Sequence, residues 1–381
     1  MTTALVVYGT RPEAIKMAPI ITALPTVGIE AVVAVTGQHR HMLDQVNELF
    51  GIVPKYDLDL SVPRQTLAHI ASSALTALNN LIRDVRPDIV VVQGDTSSTF
   101  AGALAAFYEE VPVAHVEAGL RTYKRYSPFP EEINRRLTSQ LAVLHLAPTA
   151  LNRSNLEREG INPGAIFVTG NTVIDALHMV SERNVAFSNP ELQRIANSGN
   201  QIVLVTMHRR ESWGDRMRGS AEAVRRLADT HRATQFVLPM HLNPVVREIV
   251  IPTLHGAPNV LLAEPLPYAQ FARLLRLSTL ILTDSGGVQE EAPSLGKPVL
   301  VLRSDTERPE AVEFGTVRLV GTDPERIFAE ASALLDDTDL YERMSNATNP
   351  YGDGKAAMRS AAAIASSLGL GEALPDFIPG M

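Results

Sequence analysis

Short runs of Val, Ile and Leu recur along the chain, and between them apolar residues fall at helical spacing. The runs cover 4–8, 30–35, 88–93, 113–117, 142–147 and 166–169 in the first half, then 202–207, 235–240, 260–263, 280–283, 299–302 and 317–320 in the second. Continuous apolar runs suit strands covered on both faces, and the helical stretches between them suit right-handed crossovers. The pattern predicts an α/β protein of two doubly wound parallel-sheet domains with six strands each. The polar, strandless stretch 183–200 marks the linker. The expected domains are 1–182, 183–353, and an Ala-rich helix with its tail, 354–381, that packs back on the first domain. Ligands of open α/β sheets bind beyond the carboxyl ends of the strands, so two such domains are expected to face one cleft.

Polar residues just after the strands therefore matter most. GTRPEAIK follows the first run, with Pro12 suited to a first helical turn and Arg11 and Lys16 near a helix start. The bland alternative there is a Glu13–Lys16 pair on a solvated helix. QGDTSST carries Asp95, which reads either as an N-cap or as a site acid. HVEAGLRT carries Glu117, and SPFPEEINRR carries Glu131 with Arg135 one turn on. Three acids at neighbouring strand ends would converge on the cleft. In the second half TMHRRES sets His208 and two arginines at a strand end, and RSDTERPEA supplies Arg308 and Glu310.

TDSGGVQEEA combines features that conflict unless the ligand is composite. Ser285, Gly286 and Gly287 offer hydroxyl and amide donors to an anion at a helix start. Glu291 lies about 6 Å further along the helix, at 1.5 Å per residue, where a carboxylate can grip ribose hydroxyls. A nucleoside diphosphate satisfies both, and Glu290 is left to be solvated or paired.

Composition narrows the classes. The 381 residues carry 34 basic and 42 acidic side chains, a net charge of −8, which argues against nucleic acid as the main partner. Zero cysteines exclude disulfides and thiolate sites. No G-x-G-x-x-G follows the first run, LGKP at 295–298 is not a P-loop, and no H-E-x-x-H occurs, so neither a dinucleotide cofactor nor a metal is expected. No run of about 18 apolar residues appears, and the N-terminus lacks a signal-like segment, so a cytoplasmic protein off the membrane is expected.

GTRPEAIKMAP, QGDTSST, HVEAGLRT, PEEINR, HRRES, TDSGGVQEEAPSLGKPV, TERPEA and NPYGDG, in this order, resemble the non-hydrolysing UDP-N-acetylglucosamine 2-epimerases, from Val7 to about Gly354. The resemblance implies the GT-B arrangement and an isomerase without a cofactor that interconverts UDP-N-acetylglucosamine and UDP-N-acetylmannosamine and feeds cell-surface polysaccharide synthesis. It implies Lys16, Asp95, Glu117, Glu131 and His208 as active-site groups. Ser285, Gly286 and Gly287 match the diphosphate loop, Glu291 the ribose ligand and Phe271 a base contact, while Arg11, His208 and Arg308 match residues around phosphates and sugar. It further implies a homodimer, and an activating site for a second UDP-N-acetylglucosamine at Gln38, His41, Arg64, Glu131, Arg209 and His241. The chain departs from the pattern at Gln93, where His is common before Gly-Asp, at Met207, where a small residue is usual, and at His41, which replaces Gln or Glu. Rival readings are a GT-B glycosyltransferase, a hydrolysing epimerase, an epimerase of another UDP-2-acetamido sugar, and a nucleotide-sugar binding protein without catalysis.

Overall fold

The computed structural model describes residues 1–37, 40–62 and 65–381, with the backbone alone for residues 40–42. The first sheet is formed by β1 (Thr2–Tyr8), β2 (Ile29–Val35), β3 (Tyr56–Asp57), β4 (Ile89–Gln93), β5 (Val113–Val116), β6 (Leu144–Ala147) and β7 (Ile166–Val168), in the order β3-β2-β1-β4-β5-β6-β7. The second contains β8 (Ile202–Thr206), β9 (Gln235–Pro239), β10 (Val260–Ala263), β11 (Leu280–Thr283), β12 (Val299–Val301) and β13 (Val317–Leu319), in the order β10-β9-β8-β11-β12-β13. Every pair is parallel. Six strands per half were expected, and the first sheet has seven. The added strand, Tyr56–Asp57, is two residues long and has no apolar run to announce it.

The runs are buried as two-sided strands should be: all five residues of β4 and all four of β11 are in the core. In the first unit Leu5, Val7, Val90 and Val92 pack against Leu78, Ile82 and Ala103. In the second Val203, Val205 and Leu282 pack against Val224, Leu227 and Ile327. The chain divides into residues 1–176 with 351–378, and 177–350 with 379–381, so the division falls inside the helix Thr172–Ser181. The stretch 183–200 contains a helix, Pro190–Ala196, capped by Asn189. The Ala-rich helix Ala356–Ser367 packs on the helix Arg11–Ala23 of the first unit. Beyond it, Phe377 N donates to the Val168 carbonyl at 2.7 Å and Asp376 accepts from Val168 N at 2.9 Å, which covers the open edge of β7. No described helix is long and apolar enough to cross a membrane.

Both sheets reverse their strand order beside the central strand, between β1 and β4 and between β8 and β11. Such switch points are where open α/β sheets leave room for ligands. GTRPEAIK, QGDTSST, TMHRRES and TDSGGVQEEA follow these four strands, whereas HVEAGLRT follows β5, RSDTERPEA follows β12, and Glu131 opens a helix rather than standing at a strand end.

Candidate active site

In the first unit, the loop after β1 is locked by an acid rather than opened to solvent. The carboxylate of Glu13 accepts hydrogen bonds from Gly9 N (2.9 Å), Thr10 N (2.7 Å), Thr96 Oγ1 (2.6 Å) and Thr99 Oγ1 (2.8 Å). A buried carboxylate needs such donors to offset desolvation. Glu13 thereby ties the GTRPEA turn to the GDTSST turn. Gly9 permits this closeness, since a Cβ there would sit 2.1 Å from Thr36 Oγ1. Glu13 is not the partner of Lys16: Lys16 Nζ lies 2.5 Å from Glu117 Oε1.

Glu117 follows β5 with a left-handed φ of +61°. A non-glycine residue is held there only by its surroundings. Besides Lys16, Gln93 donates to Oε2 and Asn171 Nδ2 to Oε1 at 3.2 Å. The side chain is 7% exposed, so these donors take up most of its acceptor capacity.

Asp95 does not cap a helix. Thr96 does, accepting from Thr99 N, which leaves Asp95 for Arg135, whose guanidinium donates at 2.6 Å. Asn134 Nδ2 donates to the Asp95 carbonyl at 3.0 Å. Burial pushes the Asp95 carboxyl up to about 6; Arg135 and Lys16 oppose this, while Glu117 and Glu131 add to it. One edge remains open, with the side chain 26% exposed. Behind it, buried His115 holds the Gly94 carbonyl at 2.7 Å, so Nε2 must carry the proton. Burial pulls this imidazole down to about 3 and keeps it neutral.

Glu131 opens the helix Glu131–Leu141 and is half-buried. Its neighbour Glu132 is fully buried and turned to other work, accepting from Thr122 N and Tyr123 N at 3.0 Å each. PEEINR thus divides its labour: Glu131 faces the other acids, Glu132 fixes the 120s loop, and Asn134 and Arg135 hold Asp95. Arg11 is the first residue of its helix and is half-buried.

In the second unit, Asp284 follows β11. Its Oδ2 accepts from His208 N (2.8 Å) and Arg209 N (2.9 Å), and Oδ1 lies 2.9 Å from His208 Nδ1. Burial opposes ionisation, but His208 and the two backbone donors hold this carboxyl below its ordinary range. His208 stacks on His241 with ring centroids 5.9 Å apart, and His241 is pulled down by burial and by His208.

Ser285 caps the helix Gly286–Ser294 by position, yet its hydroxyl makes no cap bond. Gly287 is exposed at the helix start. The Arg308 guanidinium lies against Gly286, where a Cβ would come within 2.5 Å of Nη1. Arg308 donates to Glu290 (2.5 Å) and Glu307 (2.7 Å), so Glu290 is paired and buried. Burial opposes ionisation of Glu307, but Arg308, Arg303 and Arg209 hold it at about 2. Helix start, hydroxyl and arginines assemble an anion site in which Glu307 occupies part of the cation cluster. Glu291 is buried, with Tyr268 Oη donating at 3.3 Å, and Phe271 lies half-buried one turn along the helix Tyr268–Leu277.

The structure brings Lys16, Asp95, Glu117 and Glu131 together in the first unit, and His208, Arg209, His241, Ser285, Gly286 and Arg308 in the second. Gln38 and Arg64 lie outside the described residues, as does the side chain of His41. Among the described residues no cluster of His and acids suits a metal ion. The reading of the sequence passed over Glu13, Asn134, Asn171 and Asp284. The first two stand inside quoted motifs, and Asp284 stands directly after a strand.

Two doubly wound parallel-sheet units, the first with carboxylates gathered beyond its strands, define an α/β enzyme with Rossmann-like domains. The UDP-N-acetylglucosamine 2-epimerase family model matches residues 23–365, and the chain belongs to this family of isomerases. It is similar to the UDP-N-acetylglucosamine 2-epimerase of Bacillus subtilis, 50% identical over 377 residues, 99% of this chain and 98% of that one. The Escherichia coli K12 enzyme of the same name is 52% identical over 361 residues, 93% and 96% of the two chains. The crystal structure of the Neisseria meningitidis UDP-GlcNAc 2-epimerase, bound to UDP-GlcNAc, superposes with a TM-score of 0.84 at 46% identity, covering 96% of this chain and 99% of that one.

Proposed function

We propose that the protein converts UDP-N-acetylglucosamine and UDP-N-acetylmannosamine into each other by eliminating and re-adding UDP, without hydrolysis and without a cofactor. The observation that carries this is Asp95, raised to about 6 between Glu117 and Glu131 and beside Lys16. The sugar C2–H is not alpha to a carbonyl, so simple deprotonation has no electron sink. Departure of UDP supplies one. As the C1–O bond breaks, its pair leaves on the diphosphate, and a carboxylate takes the C2 proton while the C2–H bonding pair closes C1=C2. The 2-acetamidoglucal is then protonated on its other face, and the UDP oxygen recaptures C1.

Such chemistry needs proton-transfer groups for two faces and cations for the leaving diphosphate. Asp95, Glu117, Glu131 and Lys16 supply the former. Ser285, Gly286, Gly287, Arg308, Arg11 and His208 hold the diphosphate, with Glu291 on the ribose and Phe271 against the base. We assign the first domain to the acids and the second to UDP. The protein acts as a cytoplasmic homodimer that supplies N-acetylmannosamine units for cell-surface polysaccharide. A second UDP-N-acetylglucosamine at Gln38, His41, Arg64, Glu131, Arg209 and His241 activates it.

The test is proton NMR of UDP-N-acetylglucosamine with the protein in D2O. Formation of the epimer with deuterium at C2 is expected. Epimer that keeps its protium overturns the proton transfer, and free N-acetylmannosamine overturns the non-hydrolytic course. Turnover of pure UDP-N-acetylmannosamine should show a lag abolished by traces of UDP-N-acetylglucosamine, and linear turnover from the start would remove the activating site.

A further inference from the structure

One quoted motif remains without work, the NPYGDG turn that brings the chain back into the first unit, where it meets the residues before the helix Thr172–Ser181. The meeting point is Asn171. Its Oδ1 accepts from Val173 N at 3.1 Å, which caps the helix. That bond fixes the orientation of the amide, because flipping it would set Nδ2 against an N–H and Oδ1 against a carboxylate. Nδ2 is therefore committed to Glu117 Oε1, at 3.2 Å. The backbone of Asn171 is fixed as well, since its N–H donates to the Tyr351 carbonyl at 2.7 Å. Gly170 lets this happen through its φ of +87°, a left-handed backbone that other side chains rarely adopt. Two residues before Tyr351, within the second unit, Asn349 Nδ2 donates to the Glu290 carbonyl at 3.3 Å. The turn is thus anchored on both sides.

We infer that Asn171 is a positioning residue for Glu117, aligned by the NPYGDG turn. Lys16 and Gln93 reach Glu117 from the strand-end side, and Asn171 completes the set that holds a carboxylate on a left-handed backbone. Losing one donor leaves the carboxylate present but turned. A misplacement of about 1 Å of a reacting group can lower turnover roughly 10²-fold.

The inference rests on the proposed role of Glu117, so the experiment carries Glu117→Gln as its own arm. Asn171→Asp keeps the cap, since aspartate caps helices as well as asparagine, and replaces the donor to Glu117 by a second carboxylate that repels it. Asn171→Ser keeps a cap of similar strength and withdraws the donor to Glu117 without adding a charge. For both variants we expect unchanged UDP affinity and kcat lowered about 10²-fold at constant KM, with thermal stability near wild type in Asn171→Ser and lowered in Asn171→Asp by the added like charge. A cap-only role instead predicts full turnover in Asn171→Ser, whose cap is as good. If Glu117→Gln is inactive while Asn171→Asp and Asn171→Ser turn over within twofold of wild type, the inference is overturned. If Glu117→Gln itself turns over normally, the catalytic reading fails instead. Should Asn171→Asp not fold, Asn171→Ser with wild-type kcat overturns the inference just as well.

Discussion

In the first unit Asp95 follows β4, the strand beside central β1; in the second Asp284 follows β11, the strand beside central β8. Topologically these are the same place. Asp95 is pushed up to about 6 by burial, against the pull of Arg135 and Lys16 and with Glu117 and Glu131 adding to it. Asp284, despite its burial, is held low by His208 and by two backbone N–H groups. One carboxylate is left able to exchange a proton near neutrality, and the other is a fixed charge that shapes a loop. Fold supplies the position, and the neighbours decide the chemistry.

The comparison breaks most visibly in turnover. Asp95→Asn, Glu117→Gln and Glu131→Gln should each lower kcat by about 10²- to 10⁴-fold, the usual contribution of a general acid or base. UDP affinity, measured by calorimetry, should stay near wild type in all three. Asp284→Asn should do the reverse, weakening UDP about tenfold through a loosened His208–Arg209 loop while kcat at saturation stays within a few-fold. Equal losses of kcat in Asp95→Asn and Asp284→Asn would erase the distinction.

The pH profile sharpens it further. A limb in kcat/KM near pH 6 should be present in wild type and absent from Asp95→Asn. An ascending limb makes Asp95 the base and a descending limb makes it the acid. A wild-type profile flat between pH 5 and 7 would remove Asp95 from proton transfer.

Much of this layout was legible in the chain. Twelve of the strands announce themselves as apolar runs, and the strand-end acids stand out because a carboxylate after a buried strand has few bland explanations. What was hidden is the pairing. Nothing local tells that Glu13 bonds to Thr96 and Thr99 rather than to Lys16, three residues away. The same holds for Asn171 and Glu117, which are 54 residues apart. Asp284 lay inside the quoted TDSGG motif, but the glycines beside it drew the reading toward the anion. Its equivalence to Asp95 appears only when the two sheets are laid out in order. Tyr56–Asp57 was invisible because a two-residue edge strand needs no apolar pattern.

The smallest effect, and the most discriminating one, concerns stability. Asp95 has a folded pKa above its ordinary value, so its protonated form favours the fold below about pH 4, and that contribution is lost as pH rises through about 6. Asp95→Asn should therefore match wild type at pH 4 and exceed it at pH 8, by on the order of 1–2 kcal/mol. Arg135 is not stranded by the change, since Glu132 lies 3.5 Å from it and the new amide oxygen still accepts. Asp284 has the opposite sign. Its folded pKa is depressed, so its stabilisation is present above the ordinary carboxylate range and is lost as pH falls through the folded value. Asp284→Asn should lower stability at pH 8 by about 1 kcal/mol and converge on wild type under acid conditions. For a domain of this size about 1 kcal/mol moves the midpoint by roughly 2–4 °C, within reach of thermal denaturation at pH 4 and pH 8. Opposite shifts of Tm at pH 8 are expected from the same Asp-to-Asn change at the same topological place. Shifts of one sign would mean that the two environments do not differ in the way their neighbours imply, and that both aspartates serve the scaffold.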